Sequence, residues 1–290
     1  MFTAPAHPLL VPFDGTFDVR AAATSPRGKD QKSKWKEQLE AEVKALGDAQ
    51  YKLYADGRFA VLLIFQAMDA AGKDSAIHHV FAGVNPCGLN VISFKQPSRR
   101  ELAHDFLWRT TASLPERGTV AIFNRSYYEE VLVVRVHPEF LAAQKLPTRP
   151  SKAFWEDRFR AIRDHERHLA EQGTVILKFW LNISRDEQRK QLLERIDEPK
   201  KNWKFNVGDL DERARWDDYR AAYGEALRAT SQPWAPWYAV PADNKQYLRL
   251  TVAKIVNEAF ESLGLDFPHA DATAKAALAA AKARLLAERD

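Results

Sequence analysis

Lys73 follows Gly72 at the end of a loop of small residues, Ala67, Ala70 and Ala71, with Asp69 set among them and Asp74 and Ser75 just beyond. A loop of this kind cradles a phosphate: backbone N–H groups point at the anion, glycine lets the backbone come close, and lysine adds a point charge. The usual spacing is G-x-x-x-x-G-K-[ST]; here Ala67 replaces the first glycine and Asp74 the hydroxyl residue. An ordinary strand-to-helix turn with a surface lysine is the plainer alternative. Asp69 is the unusual member, because a carboxylate among phosphate-binding amides is repulsive unless a metal or an acceptor group lies between them.

A second group follows an apolar run that ends in Asn124, Arg125 and Ser126. In phosphate-loop kinases a carboxylate in this place anchors Mg²⁺; Asn124 is a neutral and weaker ligand for a hard cation. Asp69, Glu129 and Glu130 are the acidic groups within reach, so a metal here leans on Asp69, phosphate oxygens and water. Arg125 offers a planar guanidinium to phosphate oxygens, or else a structural ion pair to Glu129 or Glu130. Lys95, Arg109 and Arg135 follow other segments that an α/β sheet directs to its ligand edge.

A third group is Arg185, Arg189, Arg195, Lys200 and Lys204, in a segment that also holds five acidic residues. It reads either as a lid closing over phosphates or as a solvated helix with i,i+4 pairs. Trp203 and Phe205 stack on a base or anchor the flap. His104 beside Asp105 suggests acid–base work, but a histidine satisfied by its own helix turn is the commoner outcome. The scattered histidines have no metal spacing, and Cys87 reads as a packed loop residue. The Trp216, Tyr219 and Tyr223 stripe reads as core.

The elements that must carry these groups alternate. The apolar run at 59–65 reads as a strand buried on both faces, the wholly apolar run at 119–123 as another strand, and the segments 89–94, 174–181 and 234–240 as the remaining strands. Helical patterns fill 31–54, 75–84, 99–114, 151–171, 185–196, 210–230 and 245–263, with an Ala-rich helix over 272–289. Strands alternating with helices predict a parallel five-stranded sheet in a three-layer α/β/α sandwich. The expected organisation is an extended arm over 1–30, one kinase-like domain over 31–268 with a lid at about 185–208, and a peripheral helix over 269–290. The 290 residues are 46% hydrophobic, ample for a core, and the net charge of +4 suits an anionic ligand. One cysteine excludes an internal disulfide. With no secretory signal or membrane-length apolar run, a cytoplasmic protein is expected.

The segments FQAMDAAGKDS (65–75), FKQPS (94–98), HDFLWR (104–109), FNRSYYEEVLVVRVHPE (123–139), LLERIDEPKKNWKF (192–205) and DLDERARWDDYRAAY (209–223) together resemble the second polyphosphate kinase family. The resemblance spans about Trp35 to Leu265. It implies a phosphate-loop kinase that moves phosphoryl groups reversibly between inorganic polyphosphate and nucleotides with Mg²⁺, or Mn²⁺ in its place. Asp69, Lys73, Asn124 and Arg125 would then be active-site residues, with Asp69 orienting the acceptor phosphate or the metal. Ala70, Ala71, Gly72, Asp74, Ser75 and Glu129 would complete the phosphate and nucleotide site, and Arg189, Arg195 and Lys204 the lid and polyanion channel.

The FNRSYYEEVL wording, with Glu129 where other subgroups carry a neutral residue, is similar to the subgroup that phosphorylates both AMP and ADP. Adenine nucleotides, with guanine as a variant, would be the acceptors. The resemblance also implies a homodimer or homotetramer, with neither nucleic acid nor membrane as partner. Two other functions fit the same residues: an ATP-dependent nucleoside or nucleotide kinase, and a non-catalytic polyanion-binding protein.

Overall fold

The computed structural model describes residues 1–26 and 31–288. The expected junction between arm and first helix at 27–30, and the last expected helical residue, Arg289, lie outside the described residues. Five strands form one parallel sheet in the order β2-β3-β1-β4-β5: β1 (Ala60–Ala67), β2 (Leu89–Ser93), β3 (Val120–Asn124), β4 (Thr174–Asn182) and β5 (Trp237–Pro241). In chain order the helices are α1 (Lys32–Asp56), α2 (Lys73–Val80), the single turns α3 (Arg99–Leu102), α4 (Trp108–Thr111), α5 (Val133–Val136) and α6 (Leu141–Gln144), then α7 (Lys152–Glu171), α8 (Arg185–Asp197), α9 (Gly208–Ala214), α10 (Trp216–Thr230), α11 (Lys245–Ser262) and α12 (Ala272–Ala287).

Alternation along the strands assigns the two faces. Val61, Leu63 and Phe65 of β1, with Val175, Leu177 and Phe179 of β4, pack under α1, α2 and α11. Leu62 and Ile64, with Ile176 and Trp180, face α7 and α10 on the other side. Every residue of β1 and β4 is buried, which is why these strands read as unbroken apolar runs. Lys178 is the charged exception, beside the uncharged Gln66, Thr174 and Asn182. Its ammonium donates to Glu166 Oε2 at 2.6 Å, Tyr128 OH at 2.8 Å and the Thr230 carbonyl at 2.8 Å. Glu166 Oε1 accepts from Tyr127 OH at 2.9 Å and Tyr128 OH at 2.8 Å. Burial alone pushes the carboxyl up and the amine down, but three acceptors for the ammonium and three donors for the carboxylate suit a charged pair.

Two helices expected to be continuous are broken. Over 99–114, Ser98 and Glu101 form a reciprocal cap that starts α3, but Asp105 Oδ1 then accepts from Leu107 N at 3.0 Å. That local turn competes with the helix and splits it. His104 is satisfied by its own turn, its Nδ1 2.8 Å from the Arg100 carbonyl. Over 210–230 the break falls at Arg215, whose guanidinium donates to the Val136 carbonyl at 3.0 Å. Trp216, Tyr219 and Tyr223 are buried on α10. The fifth strand begins at Trp237 rather than Trp234 because Pro236 has no N–H for the ladder.

The described residues of the N-terminal arm, 1–26, form no helix or named strand but pass through several turns and are fastened along their length. Val11 N donates to the Trp237 carbonyl at 2.8 Å and Ala239 N to the Leu9 carbonyl at 2.9 Å, covering the β5 edge. Farther on, Asn182 and Arg220 bind arm carbonyls at Val19, Ala22 and Ala23, and Asp243 accepts from both Ser25 Oγ and Ser184 N. At the other end, α12 has no buried residue. No helix is long and apolar enough to cross a membrane among the described residues.

Candidate active site

The site lies at the carboxyl ends of the two central strands, β1 and β3, where an open α/β sheet holds its ligands. Gly72 caps α2 at φ 91°, the left-handed region, and Ala70 sits there too at φ 64°. These turns aim successive N–H groups outward, and the first turn of α2 has backbone donors that its own helix cannot satisfy. Lys73 folds back, its Nζ donating to the Ala67 carbonyl at 3.0 Å. Burial, then repulsion by Arg125, lowers its pKa to about 8, against the partial offset of Asp69, Glu129 and Asp74.

From β3, Asn124 pairs in register with Phe65, and Arg125 N donates to the Phe65 carbonyl at 3.0 Å. Arg125 is left-handed at φ 65°, a conformation costing about 1–2 kcal/mol in a residue with a Cβ. The turn sends its guanidinium to Asp69 Oδ1 at 2.8 Å and toward Glu129 Oε2 at 3.6 Å. Attraction by Glu129 and then Asp69 raises the Arg125 pKa against its burial; burial pushes the Glu129 carboxyl up, offset by Arg125 and Lys73. Gln66, oriented to satisfy its neighbours, donates to Glu129 Oε1 at 2.9 Å and accepts from Ser126 N at 3.1 Å. Asn124 Nδ2 donates to Asp74 Oδ1 at 2.5 Å and lies 3.4 Å from Ser93 Oγ.

These groups open on one cavity of about 580 Å³. Asp69, Ala70, Ala71, Gly72, Lys73, Asp74, Ser75, Lys95, Asn124 and Arg125 line one side, and Arg195 and Lys204 the facing wall. The same wall holds residues that sequence reasoning did not single out as site residues: Lys201, Gln191, Glu194 and, from the first position of α11, Lys245. Lys245 had a signal, since it occupies the same place after β5 that Lys73 occupies after β1. Lys201 is tied to both Glu194 and Glu198. A smaller chamber of about 150 Å³ shares Asp69 and Arg125 with the first and is otherwise lined by Met68, Glu129, Gln188, Glu212, Tyr219 and Tyr223, among others.

Six expected members lie outside the lining of the large cavity: Glu129 is found in the smaller chamber, and five others line neither. Arg109 braces the site from behind: it donates to the Lys95 carbonyl at 2.7 Å and pairs with Glu101 at 3.2 Å. Arg135 pairs with Glu225 at 3.2 Å and lies 4.7 Å over the Trp155 ring, in a separate cleft. On α8 the helical period puts Gln191, Glu194 and Arg195 on the cavity side. It turns Arg189 outward, 3.6 Å from Asp186. Arg185 and Lys200 are exposed, and Lys201 takes the inward place next to Lys200. Glu130 also faces away, in a buried pair with Arg158 at 2.6 Å. Trp203 is 79% exposed and does not anchor the flap.

Strand, phosphate loop, helix and a cation-lined cavity at the centre of a parallel sheet define a kinase of the phosphate-loop class. Residues 29–266 match the model of the polyphosphate kinase 2 family, and the chain belongs to that family. It is 56% identical over 241 residues to an ADP-polyphosphate phosphotransferase of Rhodopseudomonas palustris, covering 82% of this chain and 83% of that one. It is 49% identical over 219 residues to an AMP/ADP-polyphosphate phosphotransferase of Meiothermus ruber, covering 76% and 78% respectively. The fold matches the crystal structure of polyphosphate kinase 2 from Arthrobacter aurescens TC1 with a TM-score of 0.86 and 41% identity, over 97% of this chain and 98% of that one.

Proposed function

We propose that the protein transfers the terminal phosphoryl group of inorganic polyphosphate, reversibly, to AMP and to ADP. The observation that carries this is the two-sided cationic cavity. Lys73 and Arg125 stand on the sheet side and Arg195, Lys201, Lys204 and Lys245 opposite, which suits a multiply charged chain better than a single phosphate. In this reading the loop amides and Lys73 hold the phosphoryl group being passed, and Arg125, aimed by Asp69, takes up the charge that spreads over its oxygens. An oxygen of the acceptor phosphate bonds to the terminal phosphorus of the donor. The bridging P–O bond breaks, and the chain leaves one phosphate shorter. That attacking oxygen is already ionised at neutral pH, so no side chain has to remove a proton. The segment from α8 through Lys204 acts as a cover that excludes water.

Kinases of this family work with a divalent metal, and Mg²⁺, with Mn²⁺ as its substitute, is the ion proposed here. Among the described residues no three His, Cys, Asp or Glu side chains gather to hold a metal. The residues therefore suit a hard cation that takes most of its ligands from phosphate oxygens and water, and it would supply neutralisation of phosphate charge. A cytoplasmic homodimer or homotetramer acting on adenine nucleotides, with guanine nucleotides as a variant, completes the reading. The exposed free thiol of Cys87 fits a reducing compartment, and the exposed leucines of α12 offer an apolar face to a second copy.

³¹P NMR of polyphosphate and Mg²⁺ with AMP, and separately with ADP, tests the reaction. New ADP and ATP resonances growing as terminal polyphosphate decays are expected. Transfer from ATP to a nucleoside or monophosphate without polyphosphate would replace this reading with an ordinary nucleotide kinase. Binding without turnover would replace it with a polyanion-binding protein.

A further inference from the structure

The turn that opens the phosphate loop has a backbone shape its sequence does not favour. Ala71 N donates to the Met68 carbonyl at 3.4 Å, closing a four-residue turn with Asp69 and Ala70 at its centre. Of those two central residues only Ala70 has a positive φ, 64°. That is the type II pattern, whose third position favours glycine because a Cβ there is strained. Turning over the single peptide between Asp69 and Ala70 would convert it to type I, which alanine accepts freely. Some other contact must therefore hold that peptide.

The contact comes from the lid helix. Gln188, one turn into α8 and 2% exposed, donates from Nε2 to the Asp69 carbonyl at 3.0 Å. Its amide is oriented from the other side by Arg213 of α9, which can only donate. The Arg213 guanidinium gives Nη1 to Gln188 Oε1 at 2.8 Å and to the Arg185 carbonyl at 2.8 Å. In a trans peptide the N–H points opposite to the C=O. Gln188 lines the smaller chamber and Ala70 the large cavity. With the Asp69 carbonyl drawn to the chamber side, the Ala70 N–H is turned to the cavity, and it has no acceptor among the described residues. The flipped peptide would present a carbonyl oxygen to an anion instead, so its orientation decides between attraction and repulsion.

Resting on the function proposed above, we infer that Gln188 is a positioning residue. It holds the Asp69–Ala70 peptide in the orientation that offers the Ala70 N–H to the polyphosphate chain, and so ties phosphate binding to the seating of α8.

The test uses the full chain with tripolyphosphate and Mg²⁺ and no nucleotide acceptor, so that nothing turns over. Affinity is measured by calorimetry. The Ala70 amide is followed by NMR of protein labelled with ¹⁵N-alanine, its peak identified by its absence from Ala70→Gly. In wild type that peak should shift as tripolyphosphate is added. Gln188→Met keeps the length of the side chain without its donor. It should lose affinity by about tenfold, the scale of one left-handed alanine, and the Ala70 shift should shrink toward zero. Adding Ala70→Gly to Gln188→Met should recover most of the affinity, because glycine takes the type II position without strain. A mere packing defect in α8 would not be repaired from the loop. Arg213→Met, which frees the Gln188 amide to rotate, should move both readouts the same way by less, and it carries the test should Gln188→Met not fold. Wild-type affinity with a wild-type Ala70 shift in the folded variant, or a loss that Ala70→Gly leaves untouched, overturns the inference even if the wild type makes ATP from polyphosphate. A wild type that shows the Ala70 shift with tripolyphosphate but makes no nucleotide product fails the functional reading instead.

Discussion

Replacing Lys178 by Met isolates the role of the buried charge network. Lys178 and Glu166 both have side chains with 0% exposure, so the substitution removes the cation and strands a carboxylate in the core. Breaking a buried pair from one side costs about 3–5 kcal/mol, against a total stability on the order of 5–15 kcal/mol for a typical domain. The loss has a pH signature. Burial raises the Glu166 pKa in the folded protein, and removing Lys178 takes away its strongest attraction and raises it further. A raised acid binds a proton in the folded state before the unfolded one. The mutant's deficit is therefore greatest above the folded pKa and shrinks as pH falls toward the ordinary carboxylate range.

Urea unfolding of wild type and mutant from pH 8 to pH 5 reads this directly, and adding Glu166→Gln should recover much of the loss at pH 8. Tyr127 and Tyr128 bind Glu166 and follow directly on Arg125 and Ser126, so kcat should fall with stability while the acceptor KM moves less. A Lys178→Met protein that unfolds within about 1 kcal/mol of wild type at pH 8, or whose deficit is flat with pH, would refute a charged pair at the core, because a stranded buried charge carries a far larger penalty.

Other outcomes follow from the site. Burial lowers the Lys73 pKa to about 8, and a bound phosphate favours its charged form. Tripolyphosphate affinity should thus fall as pH rises through 8, with proton uptake on binding, seen by calorimetry in buffers of different ionisation enthalpy. Gly72→Ala meets no side chain nearer than Leu248 at 4.0 Å, so its cost is the left-handed backbone, about 1–2 kcal/mol in thermal unfolding, with a larger proportional loss of phosphate affinity. Lys204→Ala should weaken polyphosphate binding and flatten its dependence on salt, measured by fluorescence anisotropy between low and high ionic strength, because an exposed contact is screened. An unchanged salt slope would place the chain elsewhere.

The central strands were legible because they are buried on both faces and follow a Gly: Ala60–Ala67 and Thr174–Asn182 stand close to the runs that predicted them, whereas the edge strand β2 has no buried residue. The phosphate loop was legible despite Ala67 and Asp74 because strand, small residues, Gly-Lys and helix form one local pattern. What escaped depended on distant contacts. Nothing local to Arg135 marks Glu225, ninety residues later, as its partner, and the choice of Lys201 over Lys200 depends on how the short helical segment Pro199–Lys204 packs on α8. The split at Asp105 was hidden because its helical spacing is sound, and only a side-chain-to-backbone bond interrupts it.

The fastened arm has a consequence for how the molecule is made. Val19 bonds to Arg220 across 201 residues, Val11 to Ser231 across 220 and Ser25 to Asp243 across 218. During synthesis these early residues must wait, unpaired, until nearly the whole chain has left the ribosome. Docking of the arm therefore cannot precede the emergence of residues 220–243, and until then its backbone groups, Val11 N among them, have no β5 edge to pair with.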